Sequence, residues 1–115
     1  MGWYYTLYSK VEEDKKSLSK SDKIRIIRKL DEVVKNPLPF TEGGFGEPLG
    51  HKYGNNLTGC CKIKHRGIGK RTVYKLYRTD EEMYIIVISG RADFEVYDIA
   101  ANRLPDAEAE RVLRD

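Results

Sequence analysis

The sequence predicts an α+β domain of the order β-α-α-β-β-β, with two N-terminal helices packed on a mainly antiparallel, four-stranded sheet and a short C-terminal helix. Its length of 115 residues suits one compact domain with its own core. Apolar residues recur at helical spacing before residue 36, and three β-rich segments with hairpin-length connections follow residue 56. Runs of helix and runs of strand that are kept apart in this way are typical of α+β domains.

The N-terminal third predicts one strand and two helices. Aromatic and β-branched residues at 3–8 predict the strand. Ser9 and Glu12 have the spacing of a capping box, which predicts a helix over about residues 10–18. A second cap begins at Ser19, and a helix over residues 22–36 follows. The apolar stripe of that helix comprises Ile24, Ile27, Leu30 and Val34, widened by Ile26 and Val33.

The middle of the chain predicts a loop and three strands. Residues 37–56 hold three prolines and five glycines, which indicates an unusually long loop. The strands are expected at residues 57–65, 70–79 and 83–91. The third is apolar at consecutive positions, which is typical of a central strand buried on both faces.

The C-terminal residues predict a short helix and then a tail. Residues 95–104 have a helical pattern, whereas residues 105–115 begin with proline and are rich in alanine and acidic side chains. We therefore expect a single domain over residues 1–104, followed by an acidic tail over residues 105–115.

Composition excludes several classes of protein. Apolar residues make up 40% and charged residues 34% of the chain, which suits neither a wholly disordered nor a membrane protein. No segment resembles a signal peptide. Cys60 and Cys61 are adjacent, which disfavours an unstrained disulfide, and no spacing indicates a zinc site. We expect a cytoplasmic protein without a metal, a small-molecule cofactor or a membrane partner.

The net charge of +3 conceals a marked asymmetry. Residues 48–79 contain eight Lys and Arg and no acidic residue, whereas residues 80–115 contain four basic and ten acidic residues. Such a basic block predicts a polyanion or an acidic protein as a partner.

Strand alternation places three of these cations on one face. If residues 57–65 and 70–79 pair around Gly67 and Ile68, Lys64 lies opposite Arg71, and Lys62 shares the face of Lys64. His65 then points to the opposite face and is expected to lie in the core or on the surface. Because like charges that face each other destabilise a sheet, the cluster favours an anion site, most simply for phosphate. The alternative is a solvated edge hairpin on which lysines prevent aggregation.

Two further residues extend the candidate site. Arg91 ends the apolar strand, and Tyr97 follows six residues later. Cations that contact phosphate and an aromatic ring that stacks on a base together predict an RNA site.

These motifs, in this order, resemble the RelE toxins of the RelE/ParE superfamily, the toxin half of bacterial type II toxin–antitoxin pairs. The resemblance covers about residues 3–104. It rests on Lys-x-Lys at 62–64, Gly-x-Arg-x-Val-Tyr at 69–74, the strand-ending Arg91, and Glu-Val-Tyr at 95–97. The loop over residues 37–56 and the tail are longer than in compact members of the family.

The resemblance implies a metal-independent, ribosome-dependent mRNA endoribonuclease. In such enzymes the 2′-hydroxyl attacks the adjacent phosphate, which gives a 2′,3′-cyclic phosphate and a 5′-hydroxyl. Lys62 and Lys64 match the pair linked to general-base and phosphate roles, and Arg71 matches the arginine that stabilises the pentacovalent phosphate. Arg91 matches the arginine at the leaving group, and Tyr97 matches the tyrosine that stacks on the nucleotide.

The other basic residues of the hairpin are expected to contact RNA; they are Arg66, Lys70 and Lys75. Because crowded cations lower one another's pKa, we expect one of the lysines to be partly neutral and able to accept a proton. Arginine holds its proton too tightly to act as an acid, so Arg91 is expected to stabilise charge.

The resemblance also implies partners and leaves alternatives open. The expected partners are a cognate antitoxin, the ribosome and mRNA. One alternative is a ParE-like toxin that inhibits DNA gyrase and is not a nuclease; members of that kind typically lack the full set of Lys, Lys, Arg, Arg and Tyr. Another alternative is a non-catalytic RNA-binding module.

Overall fold

The computed structural model describes residues 2–114, which form one five-stranded sheet and three α-helices. In chain order the elements are β1 (Tyr4–Leu7), α1 (Val11–Lys16), α2 (Lys20–Val33), a 3₁₀ turn (Phe40–Glu42), β2 (Glu47–Lys52), β3 (Asn55–His65), β4 (Lys70–Tyr77), β5 (Glu82–Ser89) and α3 (Asp93–Arg114). The predicted α+β class is confirmed.

The sheet has one strand more than the sequence predicts. The strand order is β1-β5-β4-β3-β2, with β1 parallel to β5 and the other three pairs antiparallel. The predicted mainly antiparallel sheet is confirmed, but four strands is wrong, because β2 lies within the predicted loop. Pro48 is tolerated because β2 is an edge strand, and the pairing shifts between Pro48 and Gly50, where Gly50 has φ +56°.

The helices cover both faces of the sheet. On one face, Thr72 of β4 bonds to His65, and His65 lines a cavity with Arg25 and Lys29 of α2. On the other face, Lys75 of β4 forms an ion pair with Glu108 of α3. Strand β5 lies between these layers with residues 83–88 buried, so the predicted central strand is confirmed.

The N-terminal helices differ in detail from the prediction. Ser19 accepts a hydrogen bond from the Asp22 amide at 3.1 Å, which confirms the second cap. The first cap is wrong, because Ser9 instead bonds through its amide and hydroxyl to Glu110 of α3. The apolar stripe of α2 is rotated from the predicted one. Its buried residues are Ile26, Leu30 and Val33, while Ile24 and Ile27 are exposed.

The C-terminal helix is long, so the predicted short helix is wrong. Helix α3 contains 22 residues and passes through Pro105, beyond the predicted boundary at residue 104. Its second half is held to the sheet, because the Tyr84 hydroxyl donates to the Ala107 carbonyl at 2.8 Å and Arg111 forms an ion pair with buried Glu82 at 2.9 Å. These contacts outweigh the hydrogen bond that proline removes. Asp115 lies outside the described residues.

Candidate functional site

The β3–β4 hairpin has the predicted register and positions the basic residues. Lys64 is the partner of Arg71, and Lys62 is the partner of Val73. The turn between the strands contains Gly67 at φ +84° and Gly69 at φ +65°, backbone angles that residues other than glycine rarely adopt. The face that carries Lys62 and Arg71 is covered in part by the start of α3.

Lys62 is the buried centre of the site. Its side chain is 7% exposed, and its Nζ lies 3.1 Å from a Glu47 carboxylate oxygen and 3.4 Å from a carboxylate oxygen of Asp93. The same Nζ lies 5.7 Å from the centre of the Tyr97 ring. A buried ammonium group is costly unless it is paired, and these neighbours supply the pairing.

Lys62 is not the partly neutral lysine that the sequence predicts. Burial opposes its charge, but hydrogen bonds to the Tyr97 hydroxyl and to Glu47 outweigh burial and hold the pKa of Lys62 above its ordinary value. The prediction considered only crowded cations, whereas the structure brings carboxylates to this lysine from β2 and α3. Lys62 therefore remains a cation at neutral pH and can bind an anion.

Asp93 joins two of the predicted catalytic residues. As the first residue of α3 it contacts Lys62 through one oxygen and Arg71 Nε through the other. Arg71 also donates from Nη1 to the Arg91 carbonyl at 3.0 Å, which fixes its guanidinium beside the end of β5. A carboxylate between two cations, at a helix N-terminus, lies where the local field favours negative charge.

Arg91 contributes an exposed cation to the site. Its side chain is 66% exposed and forms an ion pair with Glu95 at 2.8 Å, one turn along α3. Such an exposed pair contributes little to stability, so the guanidinium is available to a ligand.

Tyr97 is present at the site but covered. It is 2% exposed, and its ring lies against Lys62 and stacks on Tyr53. Burial raises the pKa of Tyr97, so its hydroxyl remains protonated. The exposed rings at this position belong to Tyr53, at the β2–β3 turn, and to Phe94.

The other predicted RNA-binding residues are distributed around the hairpin. Lys64 and Arg66 are exposed and line a cavity of about 250 Å³ with Arg25 and Lys29 of α2. Lys70 shares a cleft with Arg91 at the end of β5. Lys75 lies apart from the site, further along β4. There its ammonium group forms an ion pair with Glu108, in the second half of α3, at 3.0 Å.

His65 lies on the opposite face, as the alternation predicts. It is buried, its Nε2 is 2.7 Å from the Thr72 hydroxyl, and burial lowers its pKa to about 4. It is therefore a neutral core residue at physiological pH and takes no part in the site.

Sequence analysis missed four residues of the site: Glu47, Tyr53, Asp93 and Phe94. Glu47 and Tyr53 lie in the segment that was predicted to be a loop, and its length was the only signal. Asp93 and Phe94 lie between Arg91 and Tyr97, so their place in the motif could have indicated them. Together they make the site more acidic and more aromatic than the basic block suggests.

Across residues 2–114, no cluster of three or more His, Cys, Asp and Glu side chains is arranged to hold a metal ion. None of the helices in the same range is long and apolar enough to span a membrane.

Comparison with known proteins shows what this fold resembles. No family model and no curated protein matches the sequence. Among solved structures, the isolated RelE toxin of E. coli is 22% identical with a TM-score of 0.63, and the match covers 89% of this chain and 98% of that one. A double arginine-to-alanine mutant of that toxin, in complex with a peptide of its antitoxin RelB, is also 22% identical, with a TM-score of 0.65 over 87% of this chain and 95% of that one.

A third structure is the intact E. coli RelBE toxin–antitoxin complex. It is 20% identical, with a TM-score of 0.59 over 78% of this chain and 98% of the matched chain. The chain described here thus has the fold of the RelE toxin across most of its length, which confirms the resemblance seen in the sequence.

Proposed function

We propose that this chain is the toxin of a type II toxin–antitoxin pair and that it cleaves mRNA on the ribosome. The observation that carries the proposal is the convergence of Lys62 and Arg71 on the two oxygens of one carboxylate, that of Asp93. Two cations that hold one small oxyanion form the arrangement that a phosphodiester needs. The RelE-like fold and the matching motifs support the same activity.

In the proposed reaction, the scissile phosphate replaces Asp93 between Lys62 and Arg71. Arg91, which is exposed at the rim, stabilises the negative charge that develops on the phosphate oxygens and on the leaving 5′-oxygen. The 2′-oxygen bonds to phosphorus as the bond to the 5′-oxygen breaks, and the products are a 2′,3′-cyclic phosphate and a 5′-hydroxyl. Lys64 and Arg66 contact the flanking backbone.

The proton of the 2′-hydroxyl needs an acceptor, and Lys62 is unsuited to that role because its pKa is raised. The groups beside Lys62 that offer oxygens as proton acceptors are the carboxylates of Glu47 and Asp93. Glu47 is the better placed of the two once phosphate displaces Asp93. A water molecule carries this proton from Glu47 to the leaving 5′-oxygen, which gives the 5′-hydroxyl and restores the Glu47 carboxylate.

The expected partners follow from this activity. The substrate is mRNA in the ribosomal A site, which places the protein in the cytoplasm. An antitoxin with an acidic segment restrains it, because such a segment complements the basic face of the hairpin. No step of the proposed reaction uses a metal or a cofactor.

The test is induction in bacteria with mapping of mRNA 5′ ends. Wild-type protein is expected to produce codon-phased cuts and growth arrest, and Arg71→Ala/Arg91→Ala is expected to produce neither. Arg28→Ala/Arg78→Ala is the matched control, because both arginines are exposed and lie away from the site. Toxicity without such cuts, or with DNA damage linked to gyrase, would overturn the nuclease proposal.

A further inference from the structure

The tip of the β2–β3 hairpin has an unusual residue in a demanding conformation. Lys52 pairs with Asn55, and the two residues between them, Tyr53 and Gly54, have φ +50° and +80°. Two-residue turns with positive φ at both positions favour Asn-Gly or Asp-Gly. A bulky aromatic residue at positive φ is strained, and such strain is concentrated at functional sites.

The contacts of Tyr53 show what the strained conformation achieves. Its ring lies nearly parallel to that of Tyr97, with centroids 5.8 Å apart and planes 24° apart. Phe94 meets it edge-on at 6.3 Å. Tyr53 is 68% and Phe94 51% exposed, so an aromatic platform opens outward above the buried Tyr97.

We propose that Tyr53, supported by Tyr97 and flanked by Phe94, is the surface on which a nucleobase of the bound RNA stacks. The inference rests on the proposed function and assigns base stacking to the outer ring, because Tyr97 has no free face. A nucleobase fits better than an apolar protein segment because the cation of Lys62 lies 5.7 Å from the centre of the Tyr97 ring, on which Tyr53 stacks. A flat ring beside a phosphate-binding cation is the combination that single-stranded RNA needs.

The informative variant is Tyr53→Asn. Asparagine tolerates positive φ and forms good turns with the following glycine, so this change removes the ring while it keeps the hairpin. Tyr53→Trp keeps a stacking surface. Tyr4→Ala is the matched control, because Tyr4 is an exposed tyrosine on β1, at the opposite edge of the sheet.

The measurement is the affinity of each variant for ribosomes programmed with an mRNA whose A-site codon is 2′-O-methylated, which blocks cleavage. Tyr53→Asn is expected to weaken binding on the order of tenfold, as loss of one stacked base does. Tyr53→Trp and Tyr4→Ala are expected to bind like wild type. An abasic nucleotide at one A-site position is expected to weaken wild-type binding equally and to abolish the effect of Tyr53→Asn.

Several outcomes would overturn the inference. Equal or tighter binding by Tyr53→Asn would mean that Tyr97, once uncovered, is the stacking residue. A loss that persists with every abasic mRNA would exclude a base as the ligand. Weaker capture of the antitoxin with unchanged ribosome binding would assign the platform to a protein partner. If wild type binds the programmed ribosome but leaves the cleavable mRNA intact, the proposed nuclease function fails, and the binding of Tyr53→Asn still decides whether Tyr53 stacks on a base. If wild type does not bind the programmed ribosome at all, both proposals are overturned.

Discussion

Glu47 faces Lys62 across the β2–β3 ladder, and its carboxylate lies 3.1 Å from the lysine Nζ. The two residues are Cα partners, so the contact is built into the register of the strands. It places a carboxylate beside a permanently charged lysine, where the proposed reaction needs a proton acceptor. The first prediction follows from this pair.

Glu47→Gln is expected to slow cleavage roughly 100-fold, which is within the range for loss of a general base. The amide keeps most of the packing but cannot accept the proton. Single-turnover cleavage of ribosome-bound mRNA is the measurement, with the exposed Glu12→Gln as the control. A rate within twofold of wild type, in a variant that folds and binds the ribosome, would remove Glu47 from the mechanism.

Asp93→Asn is expected to convert the site into a better anion receptor. Asp93 neutralises Lys62 and Arg71, so its loss leaves two cations with less compensation. We expect the free energy of unfolding to fall by about 1–2 kcal/mol without added anions. Sulfate should restore the melting temperature more in this variant than in wild type, as thermal denaturation across a sulfate titration will show. Equal sulfate responses would mean that Asp93 does not occupy an anion site.

Alanine substitutions of the two lysines of the Lys-x-Lys motif are expected to change the free energy of unfolding by very different amounts. Lys64 is exposed and opposite Arg71, so Lys64→Ala relieves repulsion and should change the free energy of unfolding by less than about 0.5 kcal/mol. Lys62→Ala removes a buried side chain together with its ion pairs to Glu47 and Asp93 and should cost about 2 kcal/mol. Urea denaturation of both variants is the measurement. Similar losses for the two would contradict the difference in burial.

The fold is expected to lose stability in mild acid because of His65. Its pKa is about 4 in the folded protein, lowered from 6.5 by burial and by nearby Lys29. Between these values the unfolded chain binds more protons than the folded one, so stability falls as the pH falls from 6.5 towards 4, by roughly 1 kcal/mol per pH unit. Urea denaturation at pH 7 and pH 5 should show this loss. It should be smaller in His65→Gln; an identical loss would assign the pH dependence to other groups.

The register of the hairpin was predictable because a short turn and strand alternation determine it. Lys64 therefore lies opposite Arg71 as expected, and Lys62 shares their face. The charge state of Lys62 was not predictable, because the two residues that raise its pKa, Tyr97 and Glu47, come from α3 and β2, which lie far from it in the sequence. Local sequence patterns predict which residues share a face of a strand, but they do not predict which side chains from distant segments contact that face.

Two of the errors in the prediction of elements, at β2 and at α3, have tertiary causes. Strand β2 contains Pro48 and Gly50, which local propensity assigns to a loop, yet pairing with β3 overrides that preference at the edge of the sheet. Helix α3 continues through Pro105 because its second half packs on β4 and β5. The place of Tyr53 in the site was not predictable for a related reason, because no local rule predicts a tyrosine at the tip of a tight turn.

The dependence of the site on α3 also bears on when the proposed activity can appear during synthesis of the chain. Asp93 and Tyr97 complete the site, and α3 is stabilised by contacts from Glu110 back to Ser9 and from Arg111 to Glu82. The N-terminal and C-terminal parts of the described chain must therefore meet before the basic hairpin has its final surroundings. Long-range closure of this kind is slow compared with local folding. A nascent chain that still lacks α3 would carry the cations of the hairpin without the completed site, so the proposed activity should appear only after this helix has left the ribosome that makes it.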